Sequence, residues 1–198
     1  MNDSIIASQF REPVHDSQAT FRALLSATSR PGTIIDIPSP TTSPAPLGSA
    51  LTAIALSLLD DTTPLWLDAA LNTDSVTNYL RFHSGVRTVS DPREAMFGFF
   101  SCADTLIDFD RFNRGDSFYP DRSATLVVQL PSLTGGRPVS LSGPGIETET
   151  SVAPAGLPEG FWTHWNENAA SYPVGIDLVL ADQRSVLGLP RTTKASIS

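Results

Sequence analysis

The chain is short of the residues on which most enzyme sites are built. Among 198 residues there is one cysteine, Cys102, which excludes an intramolecular disulfide and any cysteine-rich metal site. Of 13 cationic side chains only Lys194 is a lysine, so 12 are arginines. The three histidines, His15, His83 and His164, never pair at i, i+4, and no H-E-x-x-H occurs. The sequence therefore implies no metal. No apolar run approaches membrane-spanning length, and Met1 to Phe10 lack the charged and apolar segments of a secretory leader. A reducing, cytoplasmic setting is the expectation. Basic clusters are missing too: the net charge is −8 and the arginines are scattered. Such a surface repels polyanions, so neither nucleic acid nor membrane is expected as a partner.

Catalytic signatures are equally sparse. A P-loop needs a lysine after a glycine-rich turn, and Lys194 has none before it. Gly143-Pro144-Gly145 begins like a dinucleotide fingerprint but lacks the third glycine, and its proline removes a donor. It reads as a turn. No G-x-S-x-G elbow is present. Cys102 has no cationic neighbours in sequence and reads as a buried structural thiol. Lys194 lies in a Ser/Thr-rich tail, a poor place for a Schiff base, so no pyridoxal phosphate and no other cofactor is expected.

What is present is the patterning of one globular domain, residues 1–198, with a 40% apolar content. Residues 1–16 read as an irregular arm. A helix follows from Ser17, with Phe21, Leu24, Leu25 and Thr28 on one face, and ends at Arg30-Pro31-Gly32. Residues 33–37 read as a strand and 38–47 as a proline-rich loop, too short for a domain boundary. Residues 48–60 form a nearly all-apolar helix that must be buried. A strand over 64–67 and a helix through Val76, Tyr79, Leu80 and His83 come next, the latter capped near Asn72-Thr73-Asp74 and stopped by Gly85. Residues 86–89 and 96–100 are strand candidates; 103–122 read as a loop with one helical turn. Ala124 to Leu130 is continuous enough for a central strand, with 139–141 as its return strand after a turn at 134–136. A helix over 159–170 points Phe161, Trp162 and Trp165 inward, and strands over 176–180 and 186–189 close the pattern. Helices alternating with strands, then clustered strands, predict an α/β fold with a mixed sheet flanked by helices.

Few polar residues invite a functional role. Asp60-Asp61 reads as a cap or turn, and Asp108 and Asp110 as solvated surface. Asp177 opens a predicted core strand and needs a partner, for which an arginine is the natural choice. Arg81, Arg137 and Arg191 sit beside element ends, where a forked guanidinium suits phosphate, phosphonate or a partner's carboxylate. His83, at a helix end, suits either the helix dipole or an anion. These four are the candidate substrate-binding residues; no catalytic residue is assigned.

Seven segments in order resemble the PhnH family of carbon–phosphorus lyase subunits. They are Phe21-Arg22-Ala23-Leu24-Leu25 with Pro31-Gly32, Leu58 through Leu67, Leu80-Arg81-Phe82-His83, Ser132 through Arg137, Leu141 through Ile146, Tyr172 through Leu178, and Leu189 through Thr193. Residues 101–122 depart from the pattern. The resemblance implies a three-layer fold similar to pyridoxal-phosphate-dependent transferases, without cofactor or active site. It implies a homodimer that joins the G, I and J subunits of the lyase core complex. That complex makes ribose 1-alkylphosphonate 5-triphosphate from ATP and alkylphosphonate in organic phosphonate catabolism. The role expected is structural and non-catalytic. The alternative is a phosphonate- or nucleotide-binding subunit that lends Arg81, His83, Arg137 and Arg191 to an active site.

Overall fold

The computed structural model describes residues 10–101 and 106–197; Cys102 lies outside them. Among these are four α-helices and nine strands: α1 Pro13–Ser29, β1 Ile34–Asp36, α2 Ser49–Leu58, β2 Leu65–Leu67, α3 Asp74–Ser84, β3 Phe97–Phe100, β4 Thr125–Gln129, β5 Val139–Ser142, β6 Thr150–Val152, α4 Phe161–Ala170, β7 Asp177–Ala181, β8 Ser185–Leu189 and β9 Lys194–Ile197. The main sheet runs β1-β8-β7-β4-β3-β2. Its strands β2, β3, β4 and β7 are mutually parallel; β8 turns back antiparallel to β7, and β1, antiparallel to β8, runs in the direction of the parallel strands. The fold is thus α/β with a mixed sheet, as the alternation of elements predicts.

Strand β4 lies at the sheet's centre, and its alternating residues feed two cores. Val127, with Val179, Ala181 and Val186, faces α1, α2 and α3. Leu126 and Val128, with Leu178, Leu180, Leu187 and Leu189, face α4 and a second, three-stranded sheet. Burial on both faces is why these strands read as continuous apolar runs. Helix α2 is buried along its first two turns, as its composition requires. Trp165 of α4 is fully buried and donates its indole N–H to Thr193 O at 2.9 Å.

Several expectations are corrected. The arm ends sooner than 16, because α1 starts at Pro13, whose fixed φ suits a first helical turn. Its buried face is Thr20, Ala23, Leu24 and Ala27, while Phe21 and Leu25 point outward. Close approach to β8 explains this: a Cβ on Gly188 would lie 2.6 Å from Ala27 O, so small residues must face the strand. Residues 86–89 form one bridge, Thr88 to Leu65, rather than a strand. The stretch after Phe100 holds two 3₁₀ turns, Phe109–Arg111 and Pro120–Arg122. Most notably, β5 does not return to β4. It is the centre of the second sheet, β6-β5-β9, whose outer strands are short and polar enough to read as loop and tail.

Candidate functional site

In open α/β sheets the crevice beyond the carboxyl ends of the parallel strands is the usual place for a ligand. Here, among the described residues, several polar groups at that edge are tied by the protein's own hydrogen bonds. Past β2, Asp68 Oδ2 accepts from the Ser101 N–H and hydroxyl at 2.7 Å each, and its Oδ1 from Leu71 N–H at 2.8 Å. At the end of β4, Gln129 Oε1 accepts from Gly48 N–H at 2.6 Å. That bond occupies the N-terminus of α2, where an anion would otherwise find donors. Past β7, Asp182 Oδ1 accepts from the N–H groups of Arg184 and Ser185 at 2.9 Å each and shapes the β7–β8 turn.

Of the four sequence-selected residues, Arg137 and Arg191 lie at opposite ends of the main sheet. Arg137 follows the Ser132–Leu133 turn, which is tied to Asp182 beyond the carboxyl end of β7. Arg191 lies at the opposite end, beside Asp177 at the start of β7. Strand β5 spans the distance between them, from Val139 near Arg137 to Ser142 near Lys194. Arg81 and His83 sit on the last turn of α3, where cations complement the helix dipole. Arg81 is exposed and bonds Asn78 Oδ1 at 2.9 Å. His83 packs its ring 4.4 Å from that of Tyr79 and edge-on to Phe82. His15 lies on α1 and His164 on α4, stacked on Phe109 and 3.1 Å from Glu167. Lys194 is exposed on β9.

Arg191 is the arginine that Asp177 requires. Its backbone N–H and Nε bond Asp177 Oδ1 at 2.8 and 3.1 Å, and Nη2 pairs with Oδ2. Nη1 donates to Pro120 O at 2.9 Å and Pro173 O at 3.3 Å, and Nη2 also to Ser123 Oγ. A guanidinium has five N–H donors, and all five are engaged. The group joins the entries to β4 and β7 and the exit from β8. A phosphonate oxygen would have to displace one of these bonds.

Several large apolar side chains among the described residues are exposed. On α1, Val14, Phe21 and Leu25 are 80, 46 and 54% exposed. Around Arg191 a shallow groove is lined by Pro120, Tyr172, Pro173 and Pro190 together with Asp121, Asp177 and Thr192, and Phe118 and Tyr119 directly precede Pro120 in the chain. Phe118 is 88% and Tyr172 64% exposed, and Arg122 stacks on Tyr119 at 3.9 Å. Aromatic and arginine side chains in that state are typical of protein interfaces. Sequence patterning places Phe21 and Leu25 on one helix face with Leu24 and Thr28 and reads 103–122 as a loop; the long apolar side chains in these two otherwise polar segments are the signal of their exposure.

The chain matches the family model described as "Bacterial phosphonate metabolism protein (PhnH)" over residues 8–196. It is 43% identical over 190 residues to "Alpha-D-ribose 1-methylphosphonate 5-triphosphate synthase subunit PhnH" of Rhizobium meliloti (strain 1021), covering 96% of this chain and 95% of that protein. It is 29% identical over 181 residues to "Putative C-P lyase subunit protein HtxG" of Stutzerimonas stutzeri, covering 91% and 86%.

Proposed function

This chain belongs to the PhnH family of bacterial phosphonate metabolism proteins, and from that premise we propose that it is a non-catalytic assembly subunit of a carbon–phosphorus lyase system. The complex it serves forms ribose 1-alkylphosphonate 5-triphosphate from ATP and an alkylphosphonate in organic phosphonate catabolism. The reading includes a cytoplasmic homodimer and contacts with the other core subunits. It also includes a kinship with the pyridoxal-phosphate-dependent transferase fold, without the cofactor site.

One observation carries the reading: Asp68, Ser101, Gln129 and Asp182, beyond the carboxyl ends of the parallel strands, are engaged by the protein's own hydrogen bonds, whereas several large apolar side chains are exposed. The aromatic rim near Arg191 suits self-association. It carries both signs of charge, in Asp121 and Arg122, so a two-fold copy meets no uniform repulsion. No helix among the described residues is long and apolar enough to cross a membrane.

The test is co-expression with the other synthase subunits, followed by mass determination of the purified assembly. Recovery of this chain in fixed ratio supports the reading; a chain that purifies without them removes it. The alternative, in which Arg81, His83 and Arg137 help bind phosphonate or nucleotide at a site completed by another subunit, is favoured by the exposure of Arg81 at a helix end. Alanine at each would then abolish turnover in an intact assembly.

A further inference from the structure

Resting on the assembly reading above, we infer that the outer stripe of α1 docks a different subunit, one presenting an apolar ridge bordered by carboxylates. Val14, Phe21 and Leu25 are spaced i, i+7 and i+11. At roughly 100° per residue they fall within about 40° of one another and form one continuous line. The line lies about 130° from the centre of the buried face, so it serves neither the sheet nor α2.

The border of the stripe identifies its occupant. On the solvent side it consists of Gln18, Arg22 and His15, all exposed, and contains no carboxylate. The two acids of this helix region, Glu12 and Asp16, face away, toward the hollow beside Pro38 and Thr41, where Asp16 Oδ2 accepts from Glu12 N–H at 3.1 Å. Neither acid of α1 and its N-cap therefore lies on this edge. Arg22 lies at the middle of the stripe. A two-fold axis through that point would set Arg22 beside its own copy, like charge against like, with no acid between them. A second copy is therefore a poor occupant, and an acidic-bordered subunit a good one. An anionic bilayer shares the charge preference, but one arginine on the border of a chain of net charge −8 gives it little hold.

The experiment uses the full chain and the subunit assembly purified without it, with affinity measured by surface immobilisation. F21S/L25S should lower affinity at least about tenfold, because apolar anchors dominate such contacts. R22E should lower it about fivefold or more and remove the salt dependence, while R22K stays near wild type. These side chains are exposed, so unchanged thermal unfolding is expected and checked first. If wild type binds and F21S/L25S binds equally, this docking face is wrong and the assembly reading stands. If wild type does not bind, both fall. Conversion of a wild-type dimer to monomer by F21S/L25S would make α1 the self-association face instead. Binding to phosphatidylcholine–phosphatidylserine vesicles that F21S/L25S loses would make it a membrane contact. Either result overturns the inference.

Discussion

The Asp177–Arg191 lock and the outer face of α1 use side chains in opposite ways. At the lock, a charged group that could have met a ligand is enclosed by five acceptor contacts, with Arg191 only 11% exposed. On α1, apolar groups that could have filled a core are held in solvent while Ala23 and Ala27 pack inward. On the proposed reading, stability and recognition are separated. The lock should matter to folding and little to partners; the stripe should matter to partners and little to folding.

The largest expected effect breaks the lock. Arg191→Ala leaves the Asp177 carboxylate only the backbone N–H of residue 191, removes its charge partner and the donors to Ser123 and two carbonyls, and should cost about 3 kcal/mol, read by urea unfolding. If R191A unfolds like wild type yet loses turnover in the assembly, the two roles have been assigned the wrong way round. Next is Gly188→Ala, which pushes a methyl group against the backbone of Ala27. It should cost about 2 kcal/mol and loosen α1 from β8, visible as faster amide exchange in α1. Removing the Thr73 hydroxyl, which accepts from Val76 N–H at the start of α3, should cost about 1 kcal/mol. By contrast, F21S/L25S should change stability by no more than about 0.5 kcal/mol.

The smallest effect is a titration. Hydrogen bonds from the Thr62 side chain and N–H hold the Asp60 carboxyl below its usual range. A depressed carboxyl stabilises the fold above its unfolded value, and that contribution is lost as pH falls through the folded value. The Thr62 amide signal should shift on acidification in step with the Asp60 carboxyl.

How much of this the sequence discloses follows from distance along the chain. Helix α2 and strand β4 are legible because burial on most sides writes itself as an unbroken apolar run. The need of Asp177 for an arginine is legible from its flanking residues. That Arg191 answers it is not, since the pairing depends on the register of β7 against β8. The inward face of α1 is misread for a physical reason: hydrophobicity ranks Phe21 above Ala23, but Gly188 sets a distance that only small side chains fit. Strands β6 and β9 each bury one residue, Val152 and Ala195, too little for any period to register. The internal bond at the end of β4 is invisible in sequence, because Gln129 and Gly48 are 81 residues apart.

The most direct test of the assembly role is leave-one-out reconstitution of the synthase with the other subunits, scored for assembly mass and phosphonate consumption. The account expects the assembly to be incomplete and inactive without this chain. Both properties should return in full with a variant carrying Arg81→Ala, His83→Ala and Arg137→Ala together. An intact assembly that stays inactive with that triple variant would contradict it and place those side chains at the reacting centre.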